Sequence, residues 1–165
     1  MAEEVAGDPE RPGPQHEVLM RRAGRHTHVT TVRSTLGAEP LAIQGKAVFT
    51  PVLGGRFLSE ERSMPMAGEP VQYLKLHGYN AATDRYESLW AFNYKTSMLL
   101  LTGVGEDGGR TVRWSGSHMD VEEGEVTIEA VTRQADEDHF VLEVFGTGPD
   151  GARYTVQETS DNRES

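Results

Sequence analysis

The stretch LAIQGKAVF, residues 41–49, alternates along its length: Leu41, Ile43, Gly45, Ala47 and Phe49 share one side, and Ala42, Gln44, Lys46 and Val48 the other. A period of two marks a β-strand, whose successive side chains point to opposite faces. The same pattern recurs. In RYESLWAFN (85–93), Tyr86, Ser88, Trp90 and Phe92 lie opposite Glu87, Leu89, Ala91 and Asn93. In TVRWSGSH (111–118), Val112, Trp114, Gly116 and His118 lie opposite Arg113, Ser115 and Ser117. These faces mix bulky aromatics with Gly, Ser and His. A filled small barrel favours continuous Val, Ile and Leu, whereas a barrel that holds a ligand tolerates such a mixture.

Outward from these runs, turn chemistry punctuates the chain at GAEP (37–40), PMAGEP (65–70), NAATD (80–84), GEDGG (105–109), VEEGE (121–125), ADED (135–138) and GPDG (148–151). Between the turns lie about ten β-rich runs at regular spacing, most of them joinable as hairpins, which predicts an all-β antiparallel barrel or sandwich. One helix precedes them. Pro14 suits a first turn, Gly24 can end the helix at its C′ position, and Val18, Leu19 and Ala23 supply an apolar stripe. Residues 1–13 read as a disordered acidic tail, 14–160 as one domain, and 161–165 as a flexible end.

The 165 residues carry a formal charge of −10 and no cysteine. The acidic balance argues against nucleic acid and anionic membranes as partners. Arg21, Arg22 and Arg25 are the one local basic cluster, read as a solvated helix end. MAEEVAGDPERPG lacks the apolar core of a secretory signal, and no run approaches the roughly 20 apolar residues that cross a bilayer. The expectation is cytoplasmic.

Ordered landmarks add to this. PVLGGRFLSEE (51–61), MAGEP (66–70), LHGYNAATDRYESLW (76–90) and FGTGPDGARYTVQET (145–159) follow a short helix ending in Gly. In these the chain resembles a bacterial family of unknown function grouped with the calycins, the lipocalin-like barrels. The resemblance implies a closed up-and-down antiparallel barrel of about ten strands, plugged at one end by the N-terminal helix. It implies no reaction, cofactor or catalytic set. Two departures stand out. Such barrels carry Gly-x-Trp at the start of the first strand, where this chain has Gly24-Arg25-His26. Relatives have Gly-Tyr-Asp and Trp-x-x-Asp, where this chain has Gly78-Tyr79-Asn80 and Trp90-Ala91-Phe92-Asn93.

The candidate chemistry is imidazole chemistry. His26 and His28 share a strand face, and the resemblance turns that face inward. A metal would need about three ligands, with His77 or His118 completing the set, and His-x-His alone is a weak signal, so no metal and no cofactor are expected. His118 follows Trp114 and Gly116 on one face and suits general acid–base work. Glu143, between Val141 and Phe145, is either a buried acid or a solvent-facing residue opposite Leu142 and Val144. Arg56 is a candidate partner for Glu60. His77, on the face of Tyr73 and Tyr79, reads as part of a surface aromatic ladder. The predicted catalytic set is His26, His28, His118 and Glu143. The predicted ligand wall is Phe49, Arg56, Glu60, Tyr73, Trp90, Tyr94 and Trp114. The expected ligand is a small apolar or aromatic molecule, turned over by a cofactor-free cyclase or isomerase of a natural-product pathway. The competing reading is a non-catalytic carrier, and either function is compatible with a homodimer.

Overall fold

The computed structural model describes residues 8–165; the first seven residues of the expected tail lie outside the described residues. Helix α1 (Pro14–Met20) is followed by β1 (Gly24–Val32), β2 (Leu41–Val52), β3 (Phe57–Met64), β4 (Val71–Asn80) and β5 (Arg85–Phe92). The second half comprises β6 (Leu99–Glu106), β7 (Thr111–Asp120), β8 (Gly124–Gln134), β9 (His139–Thr147) and β10 (Arg153–Arg163). Each strand pairs antiparallel with its neighbours in sequence, and β1 pairs with β10 to close the barrel. Closure leaves no sheet edge unpaired. No helix among the described residues is long and apolar enough to cross a membrane.

The short hairpins explain the glycine pairs. Leu53, Gly54 and Gly55, between β2 and β3, all have positive φ, as do Asp107, Gly108 and Gly109 between β6 and β7. Glycine adopts that left-handed region without a Cβ clash. Both turns lie at the end of the barrel that α1 plugs, and we call this end the base. His26 fastens the plug: its Nε2 donates to the Arg22 carbonyl at 2.9 Å, and its ring packs on Phe49 and Phe140. The imidazole thus fills the position that the resemblance assigned to a base tryptophan, and adds a hydrogen bond to the helix end.

Residues 161–163, part of the expected flexible end, complete β10 instead. Asp161 is fully buried and faces His28 across the β1–β10 ladder.

The interior has two unlike walls. Strands β6 to β9 present Leu99, Leu101, Val112, Trp114, Ala130, Phe140, Leu142 and Val144, an apolar half. Strands β10, β1, β3, β4 and β5 present Thr159, Asp161, His26, His28, Thr30, Glu60, Arg62, Lys75, His77 and Ser88, a polar half buried just as fully.

Candidate functional site

The polar half is a connected network, and β2 makes room for it. The register sets Ala47 between Arg62 and His26, and Gly45 opposite His28. These small residues leave the inner surface of β2 to the Arg62 guanidinium. It crosses to Asp161 and binds it through two hydrogen bonds of 2.7 and 3.0 Å, while its Nε donates to Glu60 at 2.9 Å. Glu60 also takes Lys75 Nζ at 3.3 Å and His77 Nε2 at 2.9 Å. Arg22, from the end of the helical segment, adds a 3.5 Å contact to Asp161.

The hydrogen bonds beyond His77 run in one direction. Trp90 Nε1 donates to Ser88 Oγ at 2.7 Å, Ser88 donates to His77 Nδ1 at 2.8 Å, and His77 Nε2 donates onward to Glu60. Burial lowers the His77 pKa, so its imidazole is neutral, and with Nε2 donating to Glu60 the Nδ1 lone pair accepts from Ser88. Burial alone would raise the Glu60 pKa, but Lys75, Arg62 and the His77 bond outweigh it and hold the carboxyl well below its ordinary range. Glu60 is therefore a permanent anion. Ser88, His77 and Glu60 have the composition of a nucleophilic triad, yet Ser88 is buried, already accepts from Trp90, and faces neither interior cavity. Their arrangement sets side-chain orientation rather than a reactive hydroxyl.

A second chain of hydroxyls leads to His28. Gln157 Nε2 donates to Thr159 Oγ1 at 3.2 Å, Thr159 and Thr30 are 2.9 Å apart, and Thr30 lies 3.1 Å from His28 Nδ1. Burial is the largest influence on His28, and the Arg62 charge adds to it, pushing the imidazole pKa down to about 4. His28 is thus neutral through the physiological range.

Among the described residues, two cavities border the interior. One, of about 40 Å³, lies between α1 and the barrel floor and touches Leu19, Arg22, Leu58, His77 and Trp114. It is too small for a metabolite. The other, of about 190 Å³, sits at the open mouth. Tyr73, Lys75, Trp90, Phe92, Tyr94 and His118 border it. Tyr73 stands edge-on to Phe92 at 4.9 Å, and Lys75 Nζ lies 4.2 Å over the Trp90 ring. The His118 side chain is 5% exposed, and neither of its ring nitrogens has a hydrogen-bond partner. Its Nε2 stands 3.8 Å from Asp120, which Lys95 binds from the rim.

The predicted site residues therefore divide. Tyr73, Trp90, Tyr94 and His118 meet at the mouth. Trp114 borders the small base cavity, and Phe49 packs under His26. His26 and His28 are buried in the packed interior and border neither of these cavities. Glu143 points outward and pairs with Arg133, since Leu142 and Val144 take the inner face of β9. Arg56 stays in the β2–β3 turn, and the guanidinium on Glu60 is that of Arg62, which alternates with Glu60 on the inner face of β3. His77 is an interior residue, not part of a surface ladder, because the Tyr73–Lys75–His77 face of β4 turns inward. Among the described residues no group of three His, Asp or Glu converges as metal ligands would. Lys75, Arg62 and Asp161 escaped the sequence reading; their in-register parity with Glu60 and His28 was the available signal.

A family model described as a protein of unknown function (DUF1579) matches residues 11–163. No curated protein matches the chain. Among solved structures, it is similar to Rv2717c from M. tuberculosis at 11% identity and a TM-score of 0.69, covering 94% of this chain and 100% of that one. A redesigned beta barrel, b11L5F_LGL, aligns at 11% identity and a TM-score of 0.45, over 90% of this chain and 96% of that one. The first likeness is one of fold.

Proposed function

The chain belongs to the family of unknown function DUF1579, and from that premise we propose that its barrel binds a small aromatic or apolar metabolite at the mouth and isomerises or cyclises it by proton transfer through His118. The observation that carries this reading is the His118 imidazole: it is buried at the wall of an aromatic cavity with both nitrogens unpartnered. A buried polar group without a partner costs roughly 1–3 kcal/mol, so a bound molecule that engages it recovers that loss. Asp120 stands 3.8 Å from Nε2, beyond hydrogen-bond reach, so both ring nitrogens are available for a substrate proton. Trp90, Tyr73 and Phe92 supply flat walls that hold a flexible molecule in one folded shape.

The test is incubation of purified protein with a metabolite extract of its own cells, followed by native mass spectrometry and chromatography. Wild type is expected to capture a small molecule and to change at least one species in the extract. His118→Asn is expected to capture without converting. Equal conversion by both proteins overturns the acid–base role. Capture without conversion by either makes the barrel a carrier, and no capture at all removes the site.

A further inference from the structure

The network under the mouth does not balance. Its carboxylates are Glu60 and Asp161, and its cations are Arg22, Arg62 and Lys75, all joined by contacts of 2.7 to 3.5 Å. Two guanidiniums, which stay charged in proteins, already match the two carboxylates. His77, a neutral imidazole in this buried position, adds no charge. Lys75 is the surplus cation, its pKa lowered from the ordinary lysine value by burial against the pull of Glu60, and among these cations only Lys75 borders the mouth cavity. The remaining charged groups there do not offset it. Asp120 is taken by Lys95, and Glu123 sits on the exposed β7–β8 turn. Uncompensated charge in a dry interior is costly. Trp90, whose face lies 4.2 Å from the ammonium, and Tyr73, at 5.8 Å, soften this cost without removing it.

We infer that the mouth cavity takes small aromatic anions, a ring seated between Trp90, Tyr73 and Phe92 with its carboxylate or equivalent acid group facing Lys75. The inference rests on the reading of the mouth cavity as the binding site and names the class of molecule that fits it. The anion supplies the missing negative charge to the buried network. The unpartnered His118 nitrogen faces the same cavity as a hydrogen-bond donor or acceptor for the rest of the ligand. A neutral aromatic of the same size fills the walls but leaves the charge unmatched.

Benzoate and benzyl alcohol separate these cases, because they share a ring and differ in charge. Each is titrated into the protein by two-dimensional NMR, following the His118 ring and the Trp90 indole signals. In wild type, benzoate is expected to bind at least about tenfold more tightly than benzyl alcohol, the scale of one charge-assisted contact. Lys75→Met is expected to bring the preference down to about twofold or less. Lys46→Met, which removes the same charge from the exposed face of β2, is expected to keep it, and circular dichroism reports whether each variant folds. If benzyl alcohol binds as well as benzoate in wild type, or the preference survives Lys75→Met, the anion inference falls while the cavity stands. If neither probe moves the His118 and Trp90 signals, the mouth site itself falls and this inference with it.

Discussion

His28 and Gly45 show how closely the polar half is fitted. A Cβ on Gly45 would lie 2.3 Å from the Ser63 carbonyl oxygen and 2.5 Å from His28 Nε2, closer than packed atoms approach. Gly45→Ala is therefore expected to cost about 1–3 kcal/mol, the usual range for overpacking, read as a lower urea midpoint. His28 makes a prediction of its own. Its pKa falls from 6.5 to about 4 on folding, so between those values the unfolded chain binds a proton that the folded barrel refuses. Stability contributed by this residue is complete above pH 6.5 and is lost as the pH drops toward 4. The loss is roughly 3 kcal/mol across the window. His26 and His77 shift in the same direction and add to the slope. The isolating measurement is urea unfolding of wild type and His28→Gln at pH 7, 5.5 and 4. The variant is expected to lose less on acidification, and parallel curves would exclude His28 as a source.

At the scale of elements, the base is built from two turns of one design. Leu-Gly-Gly-Arg at 53–56 and Asp-Gly-Gly-Arg at 107–110 both run through three left-handed residues before returning to right-handed geometry at the arginine. They differ at the glycine before the arginine. A Cβ on Gly109 would sit 2.7 Å from the Tyr86 hydroxyl and 2.8 Å from Val18 of α1, while one on Gly55 meets open space. Alanine at either position loses about 1 kcal/mol to the left-handed backbone. Gly109→Ala is expected to lose a further 1–3 kcal/mol by prising α1 from the barrel. Thermal melts of the two variants check this, and equal losses would mean that α1 yields without cost. Elements of this kind were legible in the sequence. The separators marked most of the turns, strict alternation marked the strands, and Pro14 marked the helix start, whereas the helix ends at Met20 and Gly24, expected at its C′ position, opens β1. The β10 end was not legible, because Ser160-Asp161-Asn162-Arg163 has the polarity of a tail and owes its order to partners on β1, β3 and β9.

For the whole molecule, the division into an apolar and a polar half explains which parts of the site could be read. Alternation on β5 and β7 put Trp90, Trp114 and His118 on the correct faces because the aromatic residues gather on one face of each strand. On β3 both faces carry charge, and on β4 the charged Lys75 lies inside while Leu74 and Leu76 face out, so local pattern does not say which face is inside. Glu60, Arg62, Lys75 and His77 are admitted to the interior only as a set that satisfies its own hydrogen bonds, a property of β3 and β4 together. The same interdependence separates two variants that look alike on paper. Arg62→Met strips Asp161 of its bidentate partner and Glu60 of one cation, leaving buried anions exposed to a dry interior. The expected loss is about 3–5 kcal/mol. Lys75→Met removes the surplus cation, and Glu60 keeps Arg62 and His77. Its expected effect is within about 1 kcal/mol of neutral, with stabilisation the favoured sign because the burial of an unmatched charge disappears. Urea midpoints of both variants at pH 7 decide the matter. A large loss for Lys75→Met would show that Glu60 needs the ammonium, and that the cluster carries its charges in balance without a ligand.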